Sequence, residues 1–315
     1  MSRIAKLLLA ALALACLAAP AFPRPALALE LAAGVPPVAW LVQRVAGPAG
    51  AVQVLSGPGS NPHTFEPTPK QMAALSRVAA YCAVGLPFED RILAKLKAAN
   101  PKLTVIDLTA GLELLPEPEG GHEPGHGHAG EAKAAQHQAP AKEHGHDDGD
   151  MDPHVWLSPR LCQAMARTIA AGLGRLDPAQ APAYAANLAA LLADLGRMDA
   201  RLSAVLAPVQ GQEFLVYHPA FGYFGRDYGL KQVAVETGGR EPGPKRLVGL
   251  IKRAREHNIR VIFVQPQFPQ KAAQQVAREI NGAVVALDDL APDPLANWEH
   301  MAQALAKGLA GGARP

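Results

Sequence analysis

Eight short apolar runs punctuate the chain at 31–33, 52–55, 79–83, 103–107, 214–217, 232–235, 261–264 and 283–287. Stretches with helical periodicity separate them. This alternation is the pattern of parallel βα units, whose strands are buried on both faces and so read as continuous hydrophobic runs. Helix starts are marked at Thr68-Pro69, with Gln71 completing a capping box, and at Ser158-Pro159 by the same cap logic. Further helices are predicted over 244–257, 271–280 and 297–309. After Asp177-Pro178 the leucines at 188, 191, 192, 195, 202 and 206 lie close to helical spacing. That run, 179–206, spans roughly 42 Å as one helix. The predicted fold is therefore α/β. Two βα lobes with parallel sheets, 29–178 and 207–315, are joined by one long backbone helix at 179–206.

Two stretches break the pattern. Residues 1–28 read as an export signal: Arg3 and Lys6 precede the apolar run 7–17, and Ala26-Leu27-Ala28 supplies an A-x-A site with cleavage after Ala28. The apolar run falls short of the about 20 residues that a membrane span requires. The chain is then expected to be exported. From about 116 to 150 periodicity vanishes and Gly, Pro, Ala, acids and His dominate, the composition of a disordered, His-rich loop.

Composition narrows the function. The formal charge is +2 and aromatics are 5% of residues, which argues against a nucleic-acid surface. Cys82 and Cys162, the cysteines beyond the signal, lack metal or redox spacing and read as small buried hydrophobes.

The histidines carry the chemistry. Six lie in the loop: His122, His126, His128, His137, His144 and His146. With the neighbouring acids they suit weak, exchangeable capture of a dication. Of the others, His218 directly follows an apolar run, as does Asp288, and ligands bind outside the carboxyl ends of parallel strands. His63 and His154 are each preceded by Pro, which stiffens the chain before binding. Three imidazoles and a carboxylate suit a four-coordinate Zn²⁺. Each histidine alone reads equally as a hydrogen-bonded structural residue. His257 and His300 are read as structural, the first at a helix C-terminus. Asp152 and Glu66 are candidates to orient imidazoles, or simply to cap turns.

Four segments carry a resemblance: Asn61-Pro62-His63-Thr64-Phe65-Glu66-Pro67, Asp152-Pro153-His154-Val155-Trp156-Leu157-Ser158-Pro159, Val216-Tyr217-His218-Pro219-Ala220-Phe221-Gly222-Tyr223-Phe224 and Leu287-Asp288-Asp289-Leu290-Ala291. Together they resemble the zinc-binding component of bacterial zinc-uptake ABC transporters, within the metal-binding cluster of periplasmic solute-binding proteins. The resemblance implies metal in the interlobe cleft, held by His63, His154 and His218, with Asp288, Asp289 or a water completing the shell. Manganese-type relatives carry Glu where His218 stands, so the resemblance points to Zn²⁺ as transported cargo. It further implies a monomer that is not an enzyme and that hands its ion to a membrane permease. The alternatives are a manganese or iron carrier of the same fold and a zinc-dependent hydrolase, the latter weakened by the lack of an HExxH motif.

Overall fold

The computed structural model describes residues 28–57, 59–117, 151–236 and 240–310. The expected signal peptide, up to residue 27, and nearly all of the His-rich loop, 118–150, lie outside the described residues.

The eight apolar runs form eight parallel strands. β1 (Leu29–Ala33), β2 (Gly50–Val54), β3 (Ala80–Ala83) and β4 (Thr104–Asp107) make one sheet in the order β2-β1-β3-β4. β5 (Glu213–Val216), β6 (Lys231–Ala234), β7 (Val261–Val264) and β8 (Ala283–Ala286) make the other in the order β6-β5-β7-β8. The two sheets repeat one topology, in which the first strand lies between the second and third. Chain direction across the sheet thus reverses at β1 and at β5, and a crevice opens beyond their carboxyl ends. The inner strands β3 and β7 are wholly buried, while the edge strands β2 and β6 are partly exposed. In the second sheet Phe214, Val216 and Phe263 face one core, and Leu215, Ile262 and Val264 face another, as the two-residue period of a strand demands.

Nine helices are described: α1 (Pro36–Ala46), α2 (Pro69–Leu75), α3 (Pro87–Ala99), α4 (Pro159–Leu176), α5 (Ala181–Leu206), α6 (Gly222–Tyr228), α7 (Pro244–Glu256), α8 (Lys271–Glu279) and α9 (Pro294–Leu309). Most begin with Pro in the first two positions, where the missing N–H would have no helical partner. The Thr68 capping box forms as expected: Thr68 Oγ1 accepts the Gln71 N–H, and Gln71 Oε1 accepts the Thr68 N–H. Ser158 Oγ likewise accepts the Leu161 N–H. α9 starts at Pro294, earlier than the predicted Asn297, because Asp293 accepts the Ala296 N–H and fixes the first turn.

The long helix α5 follows a 3-10 turn at Pro178–Gln180 and runs about 39 Å. It packs on α1 and α4 from the first half of the chain and on α9 and α6 from the second. Leu191, Leu195, Leu202 and Leu206 bury its inner face in a core shared by both halves. Ion pairs reinforce both sides: Asp194 with Arg44 of α1, Asp199 with Arg160 of α4, and Arg201 with Glu299 of α9. Cys82 and Cys162 are buried free thiols, and burial pushes Cys82 up to about 12, far from a reactive thiolate.

Candidate metal centre

His218 stands two residues beyond the end of β5, held on three sides. Gln265, just beyond β7, accepts the His218 N–H at 3.3 Å and donates its amide to the His218 carbonyl at 2.8 Å. Glu236, just beyond β6, takes the imidazole Nδ1–H on Oε1 at 2.5 Å. Phe268 stacks on the ring at 4.7 Å between centroids.

His154 stands at the start of a 3-10 turn, Val155–Leu157, that leads into α4. Asp152 Oδ1 accepts both the His154 backbone N–H at 2.9 Å and its Nδ1–H at 2.6 Å. The two expectations for Asp152, turn cap and imidazole orienter, are met by one oxygen atom. Trp156 packs edge-on against the ring and donates its indole N–H to the Asp289 carbonyl at 2.7 Å. His63 lies in the long loop between β2 and α2, where Asn61 Oδ1 accepts its backbone N–H at 2.9 Å. It is half-buried, and Glu66 beside it is exposed.

The three rings meet. His63 Nε2 and His218 Nε2 each lie 3.3 Å from His154 Nε2, and the three ligand atoms fall within 4.8 Å of one another. A Zn–N distance of about 2.0–2.1 Å gives a tetrahedral edge of about 3.3–3.4 Å. With Nδ1–H committed to carboxylates in His154 and His218, Nε2 presents its lone pair inward. The donor set therefore fits a tetrahedral ion of borderline softness.

Burial and charge divide the three. Desolvation, followed by the neighbouring His154 and His218, lowers His63 to about 2, so it stays neutral. His154 is also pulled down by burial, but Asp152, Asp289 and Glu117 together raise it above its ordinary 6.5. Protons thus compete with a metal at His154 sooner than at His63.

Asp288, the expected carboxylate, does not join this group. Its Oδ1 accepts the Leu290 N–H at 2.9 Å and closes a turn. The adjacent Asp289 is the buried one, 2% exposed, and its carboxylate accepts from the Gln267 amide. Burial raises the Asp289 pKa, while His154 and His218 oppose the rise, which places it in the field of the imidazoles. Sequence reasoning missed Glu236, Gln265 and Phe268. The first two were within reach, because each directly follows an apolar run as His218 does.

Comparison with known proteins identifies the family. The family model for the periplasmic zinc-uptake complex component A, ZnuA, matches residues 32–312. A high-affinity zinc uptake system protein ZnuA of Bacillus subtilis is 28% identical over 257 residues, 81% of this chain and 76% of its own. A zinc-binding protein AdcA of Streptococcus pyogenes is also 28% identical over 257 residues, but this chain spans about half its length, 49%. A zinc-bound ZnuA deletion mutant of known crystal structure is 37% identical, superposes with a TM-score of 0.77, and is covered completely by 91% of this chain. The chain belongs to the family of periplasmic zinc-uptake components, ZnuA.

Proposed function

We propose that this protein captures Zn²⁺ in the periplasm and delivers it to the permease of an ABC transporter. His63, His154 and His218 are its ligands, and the fourth position is taken by water or Asp289. The observation that carries this reading is the convergence of three Nε2 atoms at the edge length of a zinc tetrahedron, two of them backed by buried carboxylates. Three nitrogen donors favour zinc over manganese, which prefers oxygen-rich sets. Zinc hydrolases of the HExxH kind use a carboxylate as general base beside the metal. Asp152 and Glu236 instead spend an oxygen on an imidazole N–H. Export through a signal cleaved near Ala28 and action as a monomer complete the proposal.

The test is competitive titration of the mature protein with zinc, manganese and iron, beside the His63, His154 and His218 triple alanine variant. Tight zinc binding lost in the variant is the expected result. Preference for manganese, or tight zinc binding that survives the triple substitution, refutes the assignment.

A further inference from the structure

Asp152 has neighbours that zinc capture as described above does not use. The amino end of α6, from the second half of the chain, closes on it. Tyr223 is buried, and its hydroxyl donates to the Asp152 carbonyl at 2.7 Å. The same hydroxyl accepts the Leu115 N–H at 3.1 Å. Asp152 N–H in turn donates to the Leu115 carbonyl at 2.9 Å. One phenol thus locks together the two segments that meet at the Pro116–Met151 bridge. Arg226, further along α6, donates to the Glu113 carbonyl at 3.1 Å and lies over the Tyr223 ring at 5.2 Å. Gly222 touches the other end of Asp152. A Cβ at position 222 would sit 3.0 Å from Asp152 Oδ2, the carboxylate oxygen that His154 does not use. That oxygen is buried and has no hydrogen-bond partner among the described residues, so packing alone holds it.

We propose that Tyr223 and Gly222 are positioning residues for zinc capture. They seat Asp152 so that its Oδ1 meets His154 Nδ1–H, and through it the second half of the chain sets the orientation of a ligand that the first half supplies. The argument rests on the zinc reading above. Groups that orient metal ligands typically govern affinity by 10–100-fold. Tyr223→Phe strands a buried carbonyl and a partly buried N–H and frees the Asp152 peptide to turn. Gly222→Ala keeps every hydrogen bond but pushes the Asp152 carboxylate by a few tenths of an ångström.

The experiment measures zinc affinity by competition, and thermal unfolding of the metal-free protein, for wild type, Tyr223→Phe, Gly222→Ala, Asp152→Asn and the Tyr223→Phe/Asp152→Asn pair. The expected result is a loss of about tenfold in zinc affinity for each α6 variant. In the Asp152→Asn background, Tyr223→Phe then adds less than about twofold in affinity. A purely structural tyrosine would move melting and leave this non-additivity in affinity absent. Zinc affinity within about twofold of wild type for both α6 variants, or losses that simply multiply in the pair, overturn the inference and leave the zinc reading standing. A wild-type protein that binds no zinc tightly overturns the zinc reading and this inference with it.

Discussion

The two sheets share a strand order and differ in what they place at their carboxyl ends. In the second sheet all four strands run into a buried polar residue: β5 into His218, β6 into Glu236, β7 into Gln265 and β8 into Asp289. In the first sheet, β3 runs into a turn held by Glu89. Its Oε2 accepts the N–H groups of Val84, Gly85 and Leu86, and its Oε1 takes the Tyr81 hydroxyl. That cluster caps α3 and contributes nothing to the metal group. The first half delivers its histidines on longer excursions, His63 from a loop and His154 from a turn. Identical topology therefore leaves the choice open between a rigid strand-end ligand and a tethered loop ligand, and this chain uses both. Among the described residues, His154 and His218 have a carboxylate on Nδ1, and no such bond is present at His63.

The largest expected effect separates anchored from unanchored ligands. His154→Ala and His218→Ala should each weaken zinc binding well beyond the about 100-fold that outer groups govern, and His63→Ala should cost clearly less. Competition against a chromophoric chelator reads the difference, and equal losses at all three positions would erase the distinction between the halves. Next in size is a stability effect confined to the first half. Burial pushes Glu89 up to about 7 from 4.5, against the pull of its four donors. The folded chain then holds this proton more tightly than the unfolded chain does. Its stabilisation is complete below about 4.5 and is lost as pH rises through about 7, a change on the order of 3 kcal/mol. Urea unfolding of the metal-free protein at pH 5 and pH 8 should show the decline, and Glu89→Gln should flatten it. In the second half, Glu236→Gln leaves His218 in place without its charged partner, and zinc affinity should fall about 10–100-fold. The smallest effect concerns the adjacent acids. Asp288→Asn should leave zinc affinity within about twofold, since its carboxylate serves a turn, whereas Asp289→Asn should weaken it measurably. The reverse order would return Asp288 to the shell.

Most of the strand framework was legible, because buried parallel strands advertise themselves as apolar runs and the starts of α2 and α4 carry Thr68-Pro69 and Ser158-Pro159. The three histidines were legible for a related reason: strand ends and Pro-stiffened turns are where a sequence can hold a ligand still. Asp288 against Asp289 was not, because neighbouring side chains diverge by the local turn: Asp288 accepts the Leu290 N–H, while Asp289 is buried. Phe268 escaped because an aromatic residue in a loop reads as ordinary packing until the ring it covers is known.

The shared core along α5 has a consequence for biogenesis. A nascent chain made as far as Leu206 already holds His63 and His154, yet the α5 flank that α9 covers in the folded protein still faces water. The apolar side of α9, with Trp298, Met301 and Leu305, follows only later in the chain. A chain cut at that point lacks both His218 and the apolar cover of its long helix.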